Sequence, residues 1–193
     1  MSDKHSLDEA KLLYVTNRRE WHDWLKKHYK SEKEVWLVYY KKHTGKPRII
    51  YNDAVEEALC FGWIDSIVKT IDEDRFAQRF SVRNPKTTYS QANKERLREM
   101  IKQGKVVDDV LAKLGNLAEE QFEIPLDILK AIKANNKAWK NFQAFSQPYI
   151  RIRVAFIDGV RNRPQEFTKR LGYFIKMTEK DKQFGFGGIE KYY

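Results

Sequence analysis

Asp65 closes the apolar run ALCFGWID, residues 58–65, and is the first residue whose type and position could do chemistry. A carboxylate set beside Phe61, Trp63 and Ile64 has two readings. It works, as a general base or a ligand anchor, or it holds the chain by accepting backbone N–H bonds or pairing with an arginine. Downstream, Arg75, Arg79 and Arg83 recur at every fourth position in RFAQRFSVR, a segment that reads as a strand, so all three project from one face. Such a row is either a cradle for carboxylate or phosphate, each gripped by two parallel hydrogen bonds, or a solvated outer face. Ser90 precedes QANKERL and suits a helix N-cap, beyond which free backbone N–H groups favour an anion. One hypothesis joins these residues: Trp63, Asp65, Arg79, Arg83, Tyr89, Ser90 and Asn93 enclose a small acidic ligand, with Asp65 the candidate catalytic group. No G-x-S-x-G elbow and no Ser-His-acid order accompanies Ser90.

The remaining reactive residue types supply little. Cys60 is the single cysteine, so no internal disulfide forms, and its place in an apolar helical run reads as a buried structural thiol. His5, His22, His28 and His43 show no metal-ligand spacing, and neither a metal nor a cofactor is expected. TGK at residues 44–46 lacks the upstream glycine and following hydroxyl of a P-loop. The formal charge is +10, with 37 basic and 27 acidic residues, which makes polyanions conceivable partners. The charge is uneven: Arg75–Lys105 and Lys130–Tyr193 are basic blocks that flank an acidic connector, Val106–Leu129. The first thirty residues hold no apolar h-region, and no run approaches the ~18 apolar residues of a membrane span, so a soluble cytoplasmic protein is expected.

The elements that must position these residues follow from periodicity and punctuation. Asn17, with Glu20 three positions on, has capping-box spacing, and Trp21, Trp24 and Leu25 share a face of the helix that follows. EVWLVYYKK is a strand; HTGKP is a turn, and RIIY reads as the returning half of a hairpin. Asn52 suits the N-cap of a helix over DAVEEALCFGW that ends at Gly62, where glycine tolerates a left-handed backbone. IDSIVKTI and RFAQRFSVR form a second hairpin around DEDR, and a helix runs from about Ser90 to Gly104. Beyond this the pattern is helical: VVDDVLAKLGNLAEEQ, IPLDILKAIKANNKAW, KAWKNFQAFS, PYIRIRVAFIDGVRN and RPQEFTKRLGYFIKMTEK. The fold class is therefore α+β, a small antiparallel sheet with helices followed by a C-terminal helical bundle. The tail QFGFGGIEKYY is either docked or an arm that stacks on a ligand.

From Tyr51 to Asp65 and onward, the chain resembles the YdeI/OmdA family of bacteriocin-protection or OmpD-associated proteins. The resemblance rests on the WL helix, the EVWLVYYKK strand, the ALCFGWID signature, and Arg83, Tyr89, Ser90 and Asn93 after it. Val82 stands where the family usually has proline, and Tyr89 where it has tryptophan. FSQPYIRIRVAFIDGVRNRPQEFTKRL resembles the family's OmdA region, which implies an α+β domain over 1–121 and a helical OmdA-like region over 122–193. The resemblance implies no reaction. It implies a bacterial, cytoplasmic contribution to stress adaptation and antimicrobial-peptide protection.

The leading expectation is thus a non-enzymatic binding protein that takes an anionic small molecule or an acidic peptide. A small enzyme with Asp65 as base and Arg83 holding the substrate anion is the second reading. A nucleic-acid binder, resting on charge alone, is the third and is not favoured.

Overall fold

The structure, a computed structural model, describes residues 9–117 and 120–185. The chain forms two compact units. The first runs to Thr88 and takes up Arg96–Gly115; the second comprises Tyr89–Glu95 and the chain from Asn116 onward.

In the first unit, strands β1 (Leu12–Tyr14), β2 (Glu34–Tyr40), β3 (Trp63–Thr70) and β4 (Arg75–Val82) form one sheet in the order β1-β2-β4-β3. The β3–β4 hairpin forms as its alternating pattern predicts, Asp72 closing the turn by accepting the N–H groups of Asp74 and Arg75. β2 pairs antiparallel with β4, whereas the three-residue β1 adds to β2 in parallel, so the sheet is mixed at one edge. Val35 through Tyr39 are all buried, as befits a strand covered on both faces.

Helices α1 (Arg18–His28) and α2 (Tyr51–Cys60) cover the sheet. Asn17 caps α1 by accepting the Glu20 N–H at 3.0 Å, and Glu20 reaches back to the N–H of Thr16 at 2.7 Å rather than to that of Asn17. Trp21 is wholly buried, donates its indole N–H to the Ala54 carbonyl of α2, and meets Phe80 of β4 edge-on. Trp24 stacks on Trp21 but is only half-buried.

RIIY does not return as a strand. The segment before it holds one 3-10 turn, Lys42–Thr44, and no strand, and Tyr51 already opens α2, one position before Asn52 and with Ile50 at the N-cap. A proline that removes a ladder donor, followed by a short apolar pair with no facing partner, leaves these residues to seat the helix start, where Ile49 is buried and its N–H meets the Val15 carbonyl.

The C-terminus of α2 forms as ALCFGWID predicts. Phe61 and Gly62 donate back to Ala58 and Leu59, Gly62 turns with φ +72°, and Trp63 starts β3. A Cβ at Gly62 would stand 3.1 Å from Val110 Cγ2 in addition to requiring a left-handed backbone. Gly62→Ala is expected to cost about 1–2 kcal/mol, read as a fall in urea midpoint with unchanged slope.

Helix α3 (Gln91–Lys102) begins in the second unit and continues into the first, and a single turn, α4 (Asp108–Leu111), follows it in the first. The second unit contains α5 (Leu126–Lys133), α6 (Asn136–Ala144), α7 (Gln147–Asp158) and α8 (Pro164–Glu179). IPLDILKAIKANNKAW is two helices, because Asn135 accepts the Ala138 N–H and starts α6 afresh. Ser146 caps α7, and Pro164 opens α8, where its missing N–H costs nothing. Ile128, Ile132, Phe142, Tyr149, Val154 and Phe174 form this unit's core. Glu95, buried at the start of α3, takes both Nε and Nη2 of Arg151 on α7 at 2.7 Å. The expectation for QFGFGGIEKYY falls mostly on residues 186–193, outside the described residues.

Candidate functional site

The loop into α2 gathers polar and charged groups around the helix start. Ile50, the N-cap, has no side chain that can accept from the first turn, so the N–H groups at the start of α2 carry the helix's positive end without a side-chain cap. Two cations stand at this end. Arg48 lies two residues before the N-cap and spends Nη1 on the Tyr40 carbonyl at 3.0 Å; Arg96, buried on α3 within the same unit, donates to Asn52 Oδ1 at 3.2 Å.

A cavity of about 320 Å³ opens here, lined by Tyr39, Arg48, Ile50, Tyr51, Phe76 and Gln78. That volume is in the range of small-molecule sites. Tyr39 comes from β2 and Phe76 and Gln78 from β4; the Tyr39 and Phe76 rings stack with centroids 5.2 Å apart. The Tyr39 hydroxyl is buried and makes no hydrogen bond in the structure. Burial, reinforced by Tyr51 and Asp65 and opposed by Arg48, pushes this phenol above the ordinary tyrosine range, so it is a neutral O–H donor at physiological pH. A buried donor without an acceptor is costly, which sets Tyr39 apart from the satisfied polar groups of the core.

Tyr51 closes the cavity beside Asp65. Its hydroxyl donates to Asp65 Oδ2 at 2.7 Å, and burial together with that carboxylate holds the Tyr51 phenol in its protonated form. Asp65 is half-buried on β3, just before a bulge that shifts the register between Asp65 and Val68.

The other predicted site residues are placed as follows. Trp63 is wholly buried and donates Nε1–H to the Tyr29 carbonyl at 3.2 Å. Arg79 gives Nε and Nη2 to Glu34 Oε2 at 2.9 and 2.5 Å and reaches Ser66 with Nη1; this guanidinium holds the Glu34 carboxyl below its usual range. Arg83 follows β4, its backbone N–H bound to the Gly62 carbonyl. Ser90 caps α3, its Oγ accepting the Asn93 N–H at 3.3 Å. Trp63, Asp65, Arg79 and Arg83 belong to the first unit, and Tyr89, Ser90 and Asn93 to the second.

Sequence reasoning missed Tyr39, Arg48 and Gln78. The available signal was the helix start itself: with α2 beginning at Tyr51, the N-cap falls on isoleucine, and an arginine two residues before it flanks an uncapped end.

Cys60 is wholly buried in the last turn of α2, and burial, then the Glu57 carboxylate, pushes its thiol up to about 12. The native protein should therefore leave a disulfide reagent unreacted at pH 8 over minutes and consume one equivalent once unfolded in urea. Among the described residues no group of three or more His, Cys, Asp and Glu is arranged to hold a metal ion, and no helix is long and apolar enough to cross a membrane.

Fold and geometry define an α+β domain with a preformed pocket at a helix N-terminus, followed in sequence by a helical region. Residues 13–113, just over half of the chain, match the family model described as a domain of unknown function (DUF8412), and residues 121–181 match the model described as bacteriocin-protection, YdeI or OmpD-associated (OmdA). The chain belongs to the DUF8412 family and carries a YdeI/OmdA region at its C-terminal end. Comparison with curated proteins and with solved structures returned no match.

Proposed function

We propose that the protein is a non-enzymatic binding protein whose α+β domain takes a small anionic molecule at the N-terminus of α2. The observation that carries this is the unpartnered, buried Tyr39 hydroxyl lining a pocket at an uncapped helix start beside Arg48. The helix end and Arg48 supply positive potential, Tyr39 supplies a directed donor, and Phe76 and Ile50 supply apolar surface for the rest of the ligand. Asp65, bound to Tyr51, fixes that ring at the pocket and disfavours an anion with charge at both ends. In this reading the contribution to protection named by the OmdA description is made by sequestering or sensing such a ligand.

The Asp65–Tyr51 hydrogen bond supports the enzymatic reading only secondarily, since the phenol proton already occupies one carboxylate oxygen.

The test is melting temperature at constant ionic strength with phosphate, acetate, malonate or a short single-stranded oligonucleotide, against chloride. At least one of the small anions should raise the melting temperature of the wild type. Tyr39→Phe should melt at or above the wild-type temperature without ligand, because it deletes an unsatisfied hydroxyl, and should lose the ligand-induced rise; Arg48→Gln should reduce that rise. Equal stabilisation of wild type and Tyr39→Phe by every anion would overturn the assignment, as would a response to the oligonucleotide alone.

A further inference from the structure

The helical unit has a cavity of its own that the anion site does not use. It holds about 150 Å³, opens to the surface, and is walled by Phe156, Ile157, Phe174 and Phe184. A space of that size, walled by apolar side chains, matches a single six-membered ring; dry apolar cavities of similar volume take up benzene.

Its charged lining decides what the ring must carry. Arg153 is only 2% exposed, yet it lines this cavity, its guanidinium carbon 5.4 Å from the centroid of the Phe184 ring and 5.7 Å from that of Phe156. Arg170 is stacked on the Phe156 ring at 3.7 Å, with Nε on Glu166 and Nη1 on the Phe156 carbonyl, each at 2.8 Å. Glu166, the one acid lining the cavity, is therefore occupied by Arg170, which holds its carboxyl below the usual range. Lys169 is exposed at the same cavity. Three of the four charged residues are cations, and the deepest is an arginine among aromatic faces, a setting that receives a planar carboxylate with its ring still in apolar contact.

We propose that this cavity is a second, independent binding site and that its ligand is a single-ring aromatic carboxylate, with the ring between Phe156, Phe174 and Phe184 and the carboxylate toward Arg153 and Lys169. The volume fits one ring, and the cationic lining selects against neutral rings of the same size.

The probe is benzoate, titrated into the full-length protein at low ionic strength and followed by calorimetry and ligand-observed saturation-transfer NMR, with benzyl alcohol as the uncharged counterpart. Benzoate should bind, and benzyl alcohol should bind about tenfold or more weakly, the loss of one charge-assisted contact. Lys169→Glu, at an exposed position where folding is not at risk, should weaken benzoate by about fivefold and leave benzyl alcohol unchanged. Phe184→Ala should weaken both, because it removes ring surface rather than charge. Tyr39→Phe should leave the Phe184-dependent component of benzoate binding intact, whatever it removes at the α+β pocket. Binding of benzoate that is lost in Tyr39→Phe and kept in Phe184→Ala would move the ligand to the α+β pocket and overturn this site; absent or charge-indifferent benzoate binding would overturn it outright.

Discussion

Arg18→Met should unfold the protein at a denaturant concentration well below that of the wild type, with a loss of about 3–5 kcal/mol, because it strips the cation from a cluster of buried acids. Arg18 lies in the first turn of α1 and reaches across to α2, where Nε meets Glu57 at 2.5 Å and Nη1 meets Glu56 at 2.9 Å and Asp53 at 3.2 Å. Glu56 is wholly buried and Glu57 only 4% exposed, so water cannot replace the guanidinium once it is gone. A surface ion pair would be worth ~1 kcal/mol or less, and the difference comes from two carboxylates left charged in a poorly solvated place. His22 Nδ1 also stands 2.9 Å from Glu57. Two further outcomes separate this cause from lost packing. The deficit should shrink as pH is lowered, since protonating the acids removes the buried charge, and Glu57→Gln placed on top of Arg18→Met should recover stability rather than add to the damage. A deficit constant with pH, and a double variant weaker than the single, would assign the effect to the aliphatic stem of Arg18.

That cluster was not readable from the sequence, and the reason is general to what was and was not visible. In the sequence Asp53, Glu56 and Glu57 are acids early in a helix, where its dipole favours negative charge, whereas Arg18 lies more than thirty residues away and nothing local links the two. Features that depend on neighbours in sequence were readable: the Asn17–Glu20 cap, the β3–β4 hairpin around Asp72, the glycine turn at Gly62 and the Ser90 cap all formed. RIIY failed because a strand needs a partner as well as a pattern. β2 is already paired on both sides, by β1 and β4, so no edge was left for it. The candidate site shows the same division. Asp65 was visible because an acid ending an apolar run is locally odd, but its actual companion, Tyr51, is set by how the start of α2 meets β3. Tyr39 could not be singled out, since an aromatic in a buried strand looks identical whether or not its hydroxyl finds a partner.

Trp63→Ala should be the most damaging single substitution within the ALCFGWID signature, costing about 3–5 kcal/mol, and its effect should appear in stability whether or not ligand is present. The residue has no exposed surface, so its ring contributes the full transfer term of a buried indole, and the void left behind would be bounded by β3 and the ring of Trp24, which it meets edge-on at 5.8 Å. The indole also satisfies the Tyr29 carbonyl just beyond α1, which would lose its donor. Trp63→Phe keeps most of the ring volume and forfeits only that hydrogen bond and part of the packing, so it should lose about 1–2 kcal/mol. The graded series, read by urea midpoint beside Tyr39→Phe, tests how the signature acts. Trp63 holds the end of α2 and the start of β3 together, thereby fixing the distance between the helix start at Tyr51 and Asp65 two residues on from Trp63. A partly destabilised but folded Trp63→Phe protein that retains the anion response of the wild type would place Trp63 wholly on the side of architecture; one that stays fully stable and loses the response would make the indole a contact of the ligand itself.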